Sequence, residues 1–312
     1  MRTRIEHVLA KVETVKGVDA SPVVGTDAVL VMQPNWKLEG LDLITREAEI
    51  GSGTLSGKKS IVGGFLKTVT FDVRLKGSGV AGTPPEHGAL NRMCARAETI
   101  AAGVSVTYDP VSDDATQETG TIYYNHEGMR HILTGCVGTY TDNYETNNVI
   151  VRSYTMTGHT SAPTDTAFVA PTFDTTVPLV AKGVAFTVGG YSSTISSLSF
   201  DAGNTVSMPK DMSSDDGYGS LGITAFEAKG SFDPLMVTGA VNDFYGDFVG
   251  GAALLIDTGV IGTVAGNRLQ RKFPAATYTD ISPGDRDGSR TYELPFEAKD
   301  VSGDDFETEI WT

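Results

Sequence analysis

The chain contains the same short pattern twice, on either side of a linker rich in Thr and Pro. Thr139-Tyr-Thr-Asp142 is followed after nine residues by Arg152-Ser-Tyr154, and Thr277-Tyr-Thr-Asp280 is followed after nine residues by Arg290-Thr-Tyr292. Both parts of the pattern recur at an offset of 138 residues. A repeat of this kind indicates one structural unit used twice. The spacing therefore predicts two related units joined by the linker.

A weaker match extends the repeat towards the N-terminus of each unit. Phe71-Asp-Val-Arg74 and Phe226-Glu-Ala-Lys229 share the order aromatic, acid, small apolar, base at an offset of 155 residues. The larger offset requires extra residues in the first unit, for which Gly77–Gly82 and Asp109–Thr119 offer places. The alternative is two adjacent, unrelated β-sandwich domains whose half-buried strands look alike. We predict an internal duplication.

Period-two patterns predict a mainly β chain. In residues 66–76, Val69, Phe71 and Val73 alternate with polar residues, as in a strand that is buried on one face. A chain of 312 residues has room for two domains, each with its own core. We predict two tandem antiparallel β-sandwich or barrel domains, each with one flanking helix. The predicted ranges are an N-terminal arm (1–40), a first domain (41–160), a linker (161–178), a second domain (179–300) and an acidic C-terminal tail (301–312).

The smaller elements follow from punctuation and periodicity. Pro84-Pro85 introduces an apolar pattern with helical spacing, and Asn242 offers a cap for a second, shorter helix. Trp36 with Leu38 is the first expected contribution to a core. Each domain is expected to end in a hairpin, the second with a turn at Ser282–Gly288. The predicted helices are 86–98 and 242–249, and the predicted hairpins pair 131–142 with 148–158 and 268–280 with 290–299.

The charge balance excludes some classes of protein. The 24 basic and 39 acidic residues give a net charge of −15, whereas a protein that follows a phosphate backbone needs a basic face. An acidic surface would still let DNA pass without binding it. Cys94 and Cys136 are expected to be buried free thiols, although a single disulfide between them stays open. No apolar run has the length of a signal peptide or of a membrane span, so membrane insertion is not expected.

No arrangement of residues indicates catalysis. His126-Glu127 and His131 have the spacing H-E-x-x-x-H, which is one residue too long for the zinc motif. The glycine-rich segment 51–57 lacks the order of a phosphate-binding loop. The sequence predicts no catalytic residue, metal site or cofactor, and an enzyme is only a minor alternative because a triad can be assembled in space.

Two long loops and the C-terminus are candidate contact regions. Loop Thr45–Gly64 carries Lys58 and Lys59, and the corresponding loop Thr205–Gly222 carries Asp215 and Asp216. Connections of this length are usually functional or disordered. The acidic tail ends in the apolar pair Ile310 and Trp311, which is expected to dock on a neighbouring molecule.

Several phrases of the chain resemble the major tail tube proteins of long-tailed bacteriophages. The resemblance covers nearly the whole chain, and its specificity comes from the order of the phrases, because no single motif is diagnostic. The phrases begin with an opening arm of the type VLAKVETVKGVDASP and end with VAFTVGGYSSTISSLSFDAGNTV. The most distinctive are SGVAGTPPEHGALNRMCA and SAPTDTAFVAPTF.

The resemblance implies a structural subunit whose inner sheet joins those of its neighbours in a closed ring. Such rings stack into a tube through which DNA is ejected, and a duplicated subunit would form a homotrimer with pseudo-sixfold symmetry. Implied partners are further copies and the tape-measure, tail terminator and tail tip proteins, in a virion tail assembled in the bacterial cytoplasm. The alternative is a β-sandwich binding module, such as a decoration protein or adhesin.

The resemblance also assigns roles to particular residues. Lys58 and Lys59 are expected to meet acidic groups of an adjacent ring, including Asp215 or Asp216. Polar residues on the alternate face of the strands are expected to line the lumen, where an acidic excess would repel DNA phosphates. The lumen candidates are Asp72, Arg74, Glu227 and Lys229.

Overall fold

A computed structural model of the chain describes residues 6–46 and 58–312. Strands dominate these residues, their pairings are antiparallel, and two short helices lie beside them. The predicted mainly β class is therefore confirmed. The first half of the chain (residues 6–160, extended by one short strand) and the second half (residues 179–312) each supply their own strands. The duplication stays a prediction.

The first half begins with a strand that the sequence assigned to an arm. Residues 6–12 form this strand, whose centre is fully buried. The elements are β1 (Glu6–Val12), β2 (Ala28–Val29), β3 (Val31–Glu39), β4 (Leu43–Ile44), β5 (Ile61–Val62), β6 (Leu66–Arg74), α1 (Gly88–Met93), β7 (Arg96–Ala101), β8 (Ser105–Pro110), β9 (Gly120–His126), β10 (Met129–Glu145), β11 (Val151–Thr160) and β12 (Thr164–Asp165).

The second half has shorter strands and ends in a strand formed by the acidic tail. Its elements are β13 (Thr187–Val188), β14 (Tyr191–Ser192), β15 (Ser197–Asp201), β16 (Asn204–Ser207), β17 (Gly222–Phe226), β18 (Lys229–Phe232), α2 (Phe244–Gly250), β19 (Leu254–Asp257), β20 (Ile261–Val264), β21 (Asn267–Tyr278), β22 (Ser282–Arg286), β23 (Ser289–Lys299) and β24 (Thr308–Trp311).

A single run of strand pairings crosses both halves of the chain. Its order is β3–β6–β11–β10–β15–β18–β23–β21. The side chains alternate as expected for a sheet with one covered face: Phe71 and Val73 of β6 are buried, whereas Arg74 is exposed. The core of the molecule lies against this one face.

Both helices are shorter than predicted. The first ends at Met93, because Ala95 has a left-handed backbone (φ 54°) and Arg96 begins strand β7. The second begins one residue later than expected, since the Asp243 carboxylate rather than Asn242 caps it by accepting a hydrogen bond from the Gly246 backbone N–H.

The two halves are not related by the offset that the sequence indicates. Tyr140 of β10 lies opposite Tyr154, whereas its counterpart Tyr278 in β21 lies opposite Phe296. The first strands of the two hairpins are thus 138 residues apart and their second strands 142 apart. The second hairpin is four residues longer. Arg290-Thr-Tyr292 therefore does not occupy the position of Arg152-Ser-Tyr154.

Two further expectations are wrong. The turn of the second hairpin is not at Ser282–Gly288: β22 continues to Arg286, and the chain turns at Asp287 and Gly288, both with positive φ (52° and 82°) as in a type I′ turn. Trp36 and Leu38 are about 40% exposed, because β3 has no strand beyond it. The division of the chain into domains stays a prediction.

Candidate functional site at the joint between the two halves

The two halves meet through a pair of strands, which we call the joint. In the joint, Thr141–Glu145 of β10 pairs with Ser197–Asp201 of β15, while the other edge of β10 pairs with β11. Thr141 lies opposite Asp201, and Glu145 lies opposite Ser197. The backbone hydrogen bonds of the sheet therefore continue from one half into the other.

A cluster of six charged side chains lies buried beneath the joint. Each of the six is at most 2% exposed, and three are basic and three acidic, so their charges balance. Burial of unpaired charges would cost several kcal/mol each, which requires every member to have an opposite partner. The members are Arg96, Arg152, Arg271, Asp142, Glu307 and Glu309.

Asp142 is shared by arginines from both halves. Arg152 Nε and Nη2 donate to its two carboxylate oxygens at 2.6 and 2.8 Å, and Arg271 Nη1 contacts the same carboxylate. Arg152 also donates to Glu309, and Arg271 to Glu307. This bidentate and shared geometry gives each buried carboxylate more than one cationic neighbour.

The acidic members of the cluster stay ionised. Burial would raise the pKa of Glu309, but Arg152 and Arg271 outweigh it and lower the pKa to about 2. Burial likewise opposes the ionisation of Glu307, and Arg96 together with Arg271 lowers its pKa below the usual range. The cluster is therefore a set of full charges at neutral pH.

Aromatic rings enclose the cluster. The Arg152 guanidinium lies 4.2 Å from the centre of the Tyr140 ring, and that of Arg271 lies 4.6 Å from the Phe200 ring. The Tyr140 hydroxyl donates to Glu307 Oε1 at 2.8 Å. Buried charge clusters contribute little net stability, but removal of one partner is costly. The cluster therefore fixes the arrangement of the two halves.

The acidic tail completes the cluster. Strand β24 pairs with β8 of the first half and with β21 of the second half, and it carries Glu309 on its buried side. Trp311 is 3% exposed, and its indole N–H donates to Glu309 Oε1 at 2.7 Å. The predicted docking pair of Ile310 and Trp311 thus packs within its own chain, since the strand pairing and the buried arginines hold it there.

The outer face of the eight-strand run is polar. Asp72, Arg74 and Lys229 all lie on the face opposite the core. Asp72 accepts a hydrogen bond from the Ser153 hydroxyl at 2.5 Å, and Lys229 Nζ lies 3.3 Å from Glu227 just outside β18. Three of the four lumen candidates therefore lie on one face, with Glu227 beside it.

A family comparison agrees with this architecture. A family model described as "Phage tail tube protein" matches residues 4–298. The chain belongs to the phage tail tube protein family. A search of curated proteins finds no match. As a member of this family, the protein is a structural component of the virion tail.

In this tail tube protein, the two long loops lie against each other within one chain. Lys210 Nζ lies 2.5 Å from Asp42 Oδ2, and the Tyr218 hydroxyl donates to the Gly40 carbonyl at 2.7 Å. Asp216 accepts from His159 Nδ1 at 2.6 Å, whereas Asp215 is exposed. The expected contact between Lys58 or Lys59 and an adjacent ring stays a prediction, and residues 47–57 of that loop lie outside the described residues.

The remaining candidates of the tail tube protein are buried or dispersed. Cys94 and Cys136 are both free and buried, and burial raises the pKa of Cys94 to about 12. The His131 ring nitrogen Nδ1 lies 2.9 Å from Lys67 Nζ instead of from a carboxylate. Within residues 6–46 and 58–312, no group of three His, Cys, Asp or Glu is arranged to hold a metal ion. No helix in the same ranges is long and apolar enough to cross a membrane.

Sequence analysis of the tail tube protein missed the charge cluster. The repeat drew attention to Asp142 and Arg152, but it did not indicate that they pair across the β10–β11 hairpin. The available signal was position: both occur in strands in phase with buried aromatic residues, where a charge requires a partner. Arg271 follows the same rule in β21.

Proposed function

We propose that three copies of this tail tube protein close a ring with pseudo-sixfold symmetry, and that the rings stack into a tube that carries DNA during ejection. The observation that carries the proposal is the joint. It joins two halves edge to edge within one chain, and the same kind of pairing repeated between chains would generate a closed ring. Closure would also remove the exposed sheet edges.

Two free strand edges are suited to form the contact between chains. Among the described residues, β3 pairs with β6 only. At the other end of the run, residues 279–286 continue from β21 into β22 and pair with β23 on one side. Since Tyr278 is the counterpart of Tyr140, residues 279–283 correspond to the segment of β10 that enters the joint.

The register of this contact can be derived from the pairings within the chain. In the joint, Thr141 lies opposite Asp201, which itself lies opposite Lys229 of β18. Comparison of the β6–β11 and β18–β23 pairings makes Thr70 the counterpart of Lys229, and Asn35 lies opposite Thr70. We therefore propose that Thr279 lies opposite Asn35 of the next copy.

The polar face of the eight-strand run is the proposed wall of the lumen. Asp72, Arg74, Glu227 and Lys229 supply both signs of charge there, so the wall has no continuous basic track for phosphates. The net charge of −15 adds a general repulsion of DNA at distances within about 10 Å. DNA would pass without being held.

Further contacts are proposed from the family assignment. The tube would grow through loop contacts between rings, including Lys58, Lys59 and Asp215, with Asp216 already engaged by His159. Tape-measure, tail terminator and tail tip proteins are the proposed partners. Assembly would take place in the cytoplasm of the bacterial host.

Electron microscopy and a cross-linking experiment test the proposal. Purified protein should form rings of three times the chain mass, or hollow tubes. The double variant Asn35→Cys with Thr279→Cys should give covalent trimers on mild oxidation, whereas either single variant should not. Both positions are exposed in the isolated chain, so the cysteines can react. A purely monomeric double variant in preparations that contain rings would refute the register, and absence of rings and tubes at all concentrations would refute the assembly.

A further inference from the structure

Strand β23 connects two features at opposite ends of the second half. Its N-terminal end belongs to the long hairpin, whose tip is Arg286–Ser289. Its C-terminal end, at Glu297–Lys299, lines an open groove of about 730 Å³. At about 3.4 Å per residue, the eleven residues of β23 place the tip and the groove over 30 Å apart.

The tip extends beyond the corresponding part of the first half. The second hairpin has four residues more than the β10–β11 hairpin, counted from the matched positions Tyr140 and Tyr278. Arg290 lies beside the tip, is exposed, and has no ion pair or side-chain hydrogen bond within the described residues. Arg286, in contrast, is paired with Asp233 at 2.7 Å. Arg290 is therefore the cation of the tip that is available to a partner.

The groove offers an acidic rim and an unpaired strand edge. Asp300 is exposed and has no hydrogen-bonded or ionic partner in the described part of the chain, and Asp304 holds Ser112. Strand β17 pairs with β16 on one side only. On its other side the Gln117 side-chain amide satisfies the Ile223 backbone, and exposed Ala225 follows in the groove.

We infer that the tip of the β22–β23 hairpin in one ring inserts into this groove on the next ring, with Arg290 pairing with Asp300. The occupant is thus a second copy of the chain, and the inference rests on the proposed tube. A contact between the two ends of one strand is head-to-tail, so it repeats without closing and adds rings along an axis. The acidic rim and the available arginine favour this direction of docking.

Charge reversal tests the contact without disturbing the joint. Arg290→Glu should leave rings intact but reduce tube formation. Reversal of one rim contact changes affinity about fivefold, and three contacts in each ring multiply to about 100-fold. Asp300→Arg should have the same effect, and the double variant Arg290→Glu with Asp300→Arg should restore tubes. Lys182→Glu, another exposed lysine-to-acid change in the second half, is the control and should assemble normally.

The readouts separate this inference from the proposed function. Ring closure is measured by mass and tube length by electron microscopy, on the same samples. Rings with short or absent tubes in the single variants, and tubes in the double variant, support the contact. Tubes of normal length in Arg290→Glu overturn it, as does equal loss of tubes in Lys182→Glu. Wild-type protein without rings would instead contradict the proposed function.

Discussion

The substitution Glu309→Gln tests whether the buried charge cluster holds the two halves together. Glu309 Oε1 accepts hydrogen bonds from Trp311 and from the Asn91 amide at 3.2 Å, and Oε2 accepts from Arg152. Glutamine has nearly the same shape, so its carbonyl can keep the first two bonds. Its amide N–H₂ would then face Arg152, which places a donor against a donor and leaves the cluster with one excess positive charge.

The expected loss of stability follows from these contacts. Removal of one partner of a buried ion pair costs about 3–5 kcal/mol. Arg152 keeps its two bonds to Asp142, so we expect a value near the lower limit, about 3 kcal/mol. Domains are stable by about 5–15 kcal/mol, so this loss is large enough to measure.

Urea unfolding of the unassembled chain, followed by tryptophan fluorescence, measures this loss directly. The two tryptophans include Trp311, which contacts the substituted side chain. Glu297→Gln is the matched control, because its ion pair with Lys299 at 2.7 Å is accessible to solvent and should contribute less than about 0.5 kcal/mol. A loss below 1 kcal/mol for Glu309→Gln at an unchanged m value would refute the reasoning.

Three further substitutions and reactions test the core. Burial lowers the pKa of His87 to about 3, so the unfolded chain binds a proton below about pH 6.5 while the folded chain does not. Stability should therefore fall by up to about 1.4 kcal/mol per pH unit from pH 6.5 towards 3, and His87→Leu should flatten that fall in urea midpoints at pH 7, 6 and 5; an unchanged slope would contradict it. Cys94 and Cys136 should resist Ellman's reagent until urea unfolds the chain, and rapid reaction under native conditions would show that they are accessible. Gly230→Ala should cost about 1–3 kcal/mol in thermal melting, because a Cβ would lie 2.4 Å from Phe296, whereas an unaltered melting curve would show that the ring can move aside.

The strands of the core were readable from the sequence because their periodicity matches their environment. Strand Leu66–Arg74 has one covered face, so apolar and polar residues alternate in it. The helix limits were less accurate, since α1 ends where Ala95 takes a left-handed backbone and Arg96 enters the charge cluster. No local pattern specifies that change of direction.

The charge cluster could not be predicted, because its partners are distant in sequence. Arg152 and Glu309 are 157 residues apart, and β24 turns its glutamates towards the interior, against the rule that charged residues face water. The tail was consequently expected to meet a neighbour. The register of the two halves was also inaccessible, since four extra residues in one hairpin shift the pairing without disturbing the repeated residues.

The extra length of the second hairpin has a consequence for rotation about the tube axis. A ring built from six equal domains would look the same after every turn of 60°, and the next ring could settle in any of six orientations. Only the second half of each chain carries the longer hairpin, so three tips would recur at intervals of 120°. Half of those orientations would then be excluded, and the hairpin would act as an angular key that prevents successive rings from slipping by one domain.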